Sequence, residues 1–124
     1  MPDSFIAVSS GTIGSLTVSH AFLLTPQLMT ATGSNSQAAA APINTSSAVV
    51  VTASASSRGV RLPAATSGLT EMVHNATPNF VRVFPASGDR IGVNATNDSI
   101  GLAPDRGGIF FAQDATTWRV ILGA

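Results

Sequence analysis

A chain of 124 residues carrying six Arg, no Lys and six acidic groups, with a formal net charge of zero, is a single domain's worth of sequence without the clustered positive excess that phosphate backbones demand, so no nucleic-acid partner is expected. It has no Cys, which excludes disulfides and thiolate metal sites and leaves stability to packing. Met1 to Ser10 contains no Lys or Arg and no apolar run approaches the roughly 18 residues of a membrane span, so a soluble, unprocessed chain with no membrane partner is expected.

Charge is unevenly placed. From Ser4 to Ser57 there is no Asp, Glu, Lys or Arg, and eleven of the twelve formal charges lie from Arg58 onward. Soluble domains usually intersperse both signs over their surface, so the chargeless half is expected to be covered by a partner. A Ser, Thr and Ala-rich surface hydrated through its hydroxyls is the alternative.

In chain order, Met1 to Val18 mixes Ser, Thr and Gly with the isolated apolar runs Phe5-Ile-Ala-Val8 and Ile13-Gly-Ser-Leu-Thr-Val18. Gly11 and Gly14 argue against a helix, and an extended arm over residues 1–27 is expected. His20-Ala-Phe-Leu-Leu24, stopped by Pro26, reads equally as a strand or one helical turn. Four Ala at 38–41 favour helix by propensity, but Pro42 follows directly and the run is too short, so a strand is preferred from Leu28 to Ala41. Ala48-Val-Val-Val-Thr52 is a clear strand, and Ser54 to Gly59 a loop.

Val60-Arg-Leu-Pro63 alternates, with Val60 and Leu62 inward and Arg61 outward. After a turn at Thr66-Ser-Gly68, Leu69 to Asn75 alternates again, with Leu69, Glu71, Val73 and Asn75 on one face and Thr70, Met72 and His74 on the other. Neither face is cleanly apolar, so cover on both sides is expected. Phe80-Val-Arg-Val-Phe-Pro-Ala-Ser-Gly-Asp-Arg-Ile91 reads as strand, turn, strand, and Ile100 with Leu102 as another short strand. Pro104 to Leu122 reads as a hairpin with Ile109, Phe111, Trp118, Val120 and Leu122 in the core. The sum is about eight strands with turns every eight to twelve residues, an all-β domain over 28–124 expected to be a small antiparallel β-sandwich or jelly-roll-like barrel.

Residues for chemistry are sparse. No Gly-x-Ser-x-Gly elbow, phosphate loop or dinucleotide fingerprint occurs. His20 and His74 have no neighbours at metal-ligand spacing, and Asp89, Asp98, Asp105 and Asp114 fall in expected turns, where Asp commonly caps its own backbone. Asp89-Arg90 and Asp105-Arg106 repeat an acid-base doublet, read either as intersubunit ion pairs or as exposed turn charges. Asn-x-Ser/Thr triplets at Asn44, Asn75, Asn94 and Asn97 arise by chance in so Ser, Thr and Asn-rich a chain. Trp118 is expected in the core or an interface, with a sugar-stacking platform as the alternative. Neither a metal nor a cofactor is expected, and no enzyme activity. A small hydrolase would require two of His20, His74, Asp89, Asp98 and Asp114 to converge.

Four pieces, Gly59-Val-Arg-Leu-Pro-Ala-Ala-Thr-Ser-Gly-Leu69, Val73-His-Asn-Ala76, Val83-Phe-Pro-Ala-Ser-Gly-Asp89, and Ile109-Phe-Phe-Ala112 with Thr117-Trp118, together resemble a pattern in small structural proteins of tailed bacteriophages. There a Leu-Pro-Ala-Ala strand is followed by an Asn-Ala turn, a hairpin around Pro-Ala-Ser-Gly-Asp and a final aromatic strand ending in Trp. The resemblance spans roughly Thr30 to Leu122, is most specific at Val83 to Asp89, and consists of fold-setting turns. It implies a virion protein without catalytic residues. Such proteins include capsid decoration, or cement, proteins, often trimers seated between capsomers, and tail or fibre components. The expectation is a homotrimeric decoration protein made in the host cytoplasm and carried on the capsid surface. Its partner would be the major capsid protein, bound through arm residues Phe5, Ile6, Val8, Ile13, Leu16, Val18, Phe22, Leu23 and Leu24. The alternative is a tail or fibre module binding a host-surface glycan or receptor through Trp118 and the Asn94 to Asp98 turns.

Overall fold

Runs such as Ser47-Ala-Val-Val-Val-Thr52 and Val81-Arg-Val-Phe84 are short, β-branched and bounded by Gly, Pro or Asn, which favours brief strands between turns over any helix. The computed structural model describes residues 25–123, and their fold is all-β. Ten strands follow one another: β1 (Gln27–Thr30), β2 (Ala41–Pro42), β3 (Ser47–Thr52), β4 (Gly59–Arg61), β5 (Thr70–Asn75), β6 (Val81–Phe84), β7 (Arg90–Ile91), β8 (Ile100–Leu102), β9 (Arg106–Ala112) and β10 (Thr117–Leu122). Among the described residues no helix is long and apolar enough to cross a membrane.

The chain alternates between two sheets. β1, β3 and β5 run parallel in a six-stranded sheet of order β1-β3-β5-β9-β10-β7, while β2, β4 and β6 run parallel in a four-stranded sheet of order β2-β4-β6-β8. Each circuit lays one strand on each sheet and stacks on the previous circuit: Ala48 pairs with Gln27 and Val73, and Val60 with Ala41 and Val83. Antiparallel strands close the far end, β8 against β6 and the β9–β10 hairpin against β5. The result is a solenoid-like stack, not the expected antiparallel sandwich or jelly-roll barrel. A turn that returns the chain to its own sheet and one that carries it to the opposite sheet use the same Gly, Pro and Asn chemistry, so local pattern does not separate them. The stretch from Phe80 to Ile91 shows this. β6 and β7 lie in different sheets, and Ala86-Ser-Gly-Asp89 is the corner between them, with Asp89 N donating to Ala86 O at 2.9 Å and Gly88 at φ 91°.

Inward residues of both sheets meet in one core containing Met29, Val50, Val60, Leu62, Val73, Val81, Val83, Ile91, Leu102, Phe110 and Trp118. Val60 and Leu62 point inward as expected, and Trp118 is fully buried, which removes it as a surface sugar platform. The β9–β10 hairpin forms as read, but its faces are otherwise assigned: Gly108, Phe110 and Ala112 are buried, whereas Ile109, Phe111 and Leu122 are partly exposed. Val120 is partly buried against the core. In Ile109-Phe-Phe-Ala112 both alternating sets carry an aromatic ring, and a one-residue shift in reading exchanges the faces completely.

Of the Ala run only Ala41 enters a strand, β2, and none of it is helical. Gln37–Ala39 forms a turn, with Ala40 N donating to Gln37 O at 3.3 Å. The Arg61 guanidinium donates to the carbonyls of Gln37 (2.9 Å) and Ala38 (3.2 Å), and Gln37 Nε2 to Pro85 O at 2.7 Å. Charge-assisted bonds from a neighbouring circuit thus outweigh a helix propensity of a few tenths of a kcal/mol per residue, about the most such a run can contribute.

Candidate docking surface

Strand alternation gives the six-stranded sheet a second, outward face, and its residues are mostly apolar. Pairing aligns them in rows: Leu28, Val49, His74 and Gly107 form one; Ser47, Met72, Ile109 and Ile121 the next; Thr70, Phe111 and Arg119 the third. Leu28 is 67% exposed and Ile121 62%, with Val51, Met72, Ile109 and Phe111 also exposed. A shallow groove of about 430 Å³ runs among Val49, Met72, His74, Ile109, Ile121 and Leu122. Gly107, on its edge, lets β9 lie close against β5, since a Cβ there would sit 3.0 Å from Val73 O and 3.2 Å from His74 Nδ1. Among the described residues the Glu71, Val73 and Asn75 face of β5 is buried and the Thr70 and Met72 positions are exposed.

Charge is confined to the margin of this face. His74 Nε2 lies 3.2 Å from Asp105 Oδ1, with His74 half-exposed and Asp105 largely in solvent, and Arg119 Nε donates to Gln113 Oε1 at 2.7 Å. Little charge would have to be desolvated to cover the rows between. Sequence reasoning placed Met72 opposite Glu71 correctly but expected Ile109 and Phe111 inside. The missed signal is that β3, β5, β9 and β10 each carry large apolar residues on both alternating sets.

Among the described residues the candidates His74, Asp89, Asp98, Asp105 and Asp114 do not assemble into one centre. Asp89 is buried and its Oδ2 accepts from Ala65 N at 2.9 Å, tying the β4–β5 connection to the corner before β7. It is therefore no exposed turn charge, as one reading of the Asp89-Arg90 doublet had it. Asp114 caps its own turn, as expected of Asp there, accepting from Thr116 N (2.9 Å) and Thr117 N (2.8 Å); these bonds hold its carboxyl below the usual range. Asp98 is exposed in the loop before β8, and among the described residues the side-chain partner of His74 is Asp105. Among the described residues no three His, Asp or Glu are grouped to hold a metal ion. His20 and the nine expected capsid-binding residues, Phe5 to Leu24, lie outside the described residues.

Two buried polar groups escaped sequence reasoning. Asn75, fully buried, donates through Nδ2 to Asn79 O (2.7 Å) and Leu102 O (2.9 Å) and accepts at Oδ1 from Thr77 N (2.9 Å) and Thr77 Oγ1 (2.8 Å), fastening β5 to the end of β8. Glu71 is buried beside Phe110 in register, with Oε2 unpartnered, and burial pushes its carboxyl up to about 7. No family model matches the chain, and comparisons with curated proteins and with solved structures find no significant match.

Proposed function

We propose that this chain is a structural protein of a tailed-bacteriophage virion, a capsid decoration protein that seats the outer face of its six-stranded sheet across joints between major capsid subunits. The observation that carries the reading is the set of apolar rows around Met72, Ile109 and Ile121, bounded by few charges. The resemblance of the Pro-Ala-Ser-Gly-Asp corner and its neighbouring segments to small phage structural proteins supplies the kind of partner. Proteins of that kind are often trimers, and a homotrimer would engage several joints at once, so modest individual contacts would sum through effective concentration.

Two measurements test this. Quantitative mass spectrometry of purified particles should give a copy number near one per major capsid protein; a few per cent would move the protein to the tail or a vertex and favour host-surface binding, and absence from particles would overturn both. Ile109→Lys with Ile121→Glu should lower retention on capsids at least tenfold while leaving the thermal midpoint nearly unchanged, because both side chains are already exposed and the opposite charges face each other across the β9–β10 pair. Normal decoration by that variant would exclude this face as the contact.

A further inference from the structure

β9 carries a groove at one end of its outward face and an aromatic ring at the other. Gly107, Ile109 and Phe111 alternate outward, in register with His74, Met72 and Thr70 of β5. The groove lies beside Gly107, walled by Val49, Met72, His74, Ile109 and Leu122. Phe111 is exposed on the far side of Ile109, so groove and ring stand about 14 Å apart along the strand with Ile109 at the midpoint. We infer that in the free protein this face pairs with the same face of a second copy, about a two-fold axis that lies in the contact and crosses β9 at Ile109.

Shape and charge both agree with that operation. It seats each Phe111 ring in the other copy's groove, over Gly107 where no side chain stands, and sets each Ile109 against its counterpart. Strands of the two copies then run nearly antiparallel across the contact, the aligned arrangement of packed sheets. At the groove end Asp105 lies largely in solvent beside His74. The ring end holds Arg119, in register with Phe111 and bonded to the neutral Gln113, and Arg90, 3.4 Å from Thr117 Oγ1; Asp114 there accepts from Thr116 N and Thr117 N of its own turn. Exchanging the ends brings Arg119 of each copy toward Asp105 of the other. A two-fold axis along the strand would instead gather the Arg residues at one end and stack ring upon ring, leaving both grooves empty.

The matched area is small. Neighbouring strands stand about 5 Å apart and the three rows span about 14 Å, so each copy contributes a flat face on the order of a few hundred Å², the size of a weak, reversible contact. The pair therefore parts on dilution and leaves the face open to a capsid joint. Pairing belongs to the free protein, on the face assigned above to the capsid, and stands whether or not a capsid is the partner.

Sedimentation of the free, full-length protein tests this without any particle. Monomer should pass to dimer between about 1 μM and 1 mM chain. Phe111→Ala should raise the dissociation constant at least tenfold. Ile109→Glu and Ile109→Lys should each do the same, because each meets its own charge at the axis, while an equimolar mixture of the two should restore pairing to within about threefold of wild type. Ile109 is already exposed, so all three variants should keep the wild-type urea midpoint at concentrations where the protein is monomeric. A wild-type chain that stays monomeric up to about 1 mM would overturn the pair. So would a dimer indifferent to Ile109→Glu, which would place the contact on another face, or a mixture no tighter than either charged variant alone, which would remove the two-fold axis. Decoration is read separately on particles, so its failure leaves each of these outcomes standing.

Discussion

Glu71 and Asn75 alternate with Val73 on the inward face of β5, yet they meet burial in opposite ways. Asn75 fills both its donor and acceptor capacity with groups from its own turn and from the end of β8, so it costs little and fixes how the two sheets sit. Glu71 leaves Oε2 unpartnered, and its carboxyl is raised from 4.5 to about 7. A folded-state value above the unfolded one means that stability is fully present below about pH 4.5 and is lost as pH rises through 7. The difference corresponds to about 3 kcal/mol at most. Urea unfolding midpoints should therefore fall between pH 5 and pH 8, and Glu71→Gln should flatten that slope; an unchanged slope in the variant would place the pH dependence elsewhere. Asp114, held low by its turn bonds, has the opposite sign and acts only in acid.

At the scale of single elements, β9 decides which apolar residues build the core. Phe110 is fully buried opposite Val120, while Phe111 lies on the outer face opposite Arg119. Phe110→Ala should cost about 3–5 kcal/mol through lost burial and a cavity, and Phe111→Ser about 1 kcal/mol or less. Denaturant unfolding of the two variants reads the register directly, and equal losses would contradict it. The same strand shows how far local reading reaches. That a hairpin spans Pro104 to Leu122 was legible from Pro104, Asp105 and Gly107 followed by aromatic and β-branched residues. Which side of it faces inward was not, since Ile109 with Phe111 and Phe110 with Ala112 present equally apolar sets. Ala38 to Ala40 were misread as strand, though Ala41 does enter β2, for a related reason: the turn there is held by Arg61, a residue of another circuit.

For the whole molecule, the distribution of charge has a measurable consequence. The twelve formal charges are few and balanced, and the outer face of the six-stranded sheet carries them only at its margin. Association through that face, as proposed, is driven by apolar burial and should be nearly indifferent to salt. Retention on capsids should change less than threefold between about 0.05 and 1 M NaCl, where an ion-paired contact would be screened. Loss of binding at high salt would point to the Arg and Asp groups of the turns instead. The candidate surface was legible only in part: the chargeless first half signalled cover, but the apolar rows draw residues from five strands separated by up to about ninety positions, and no local window contains them.

By itself, the sequence determined the all-β class, most strand positions, the inward placement of Val60, Leu62 and Trp118, and the turns, because these follow from side-chain branching, alternation and φ preference within a few residues. The tertiary structure alone decided that the strands alternate between two sheets and stack in parallel circuits, that Phe110 and not Phe111 enters the core, and that Met72, Ile109 and Ile121 share one outer face. Those outcomes depend on which distant strand pairs with which, and pairing is settled by the burial it achieves across the whole chain.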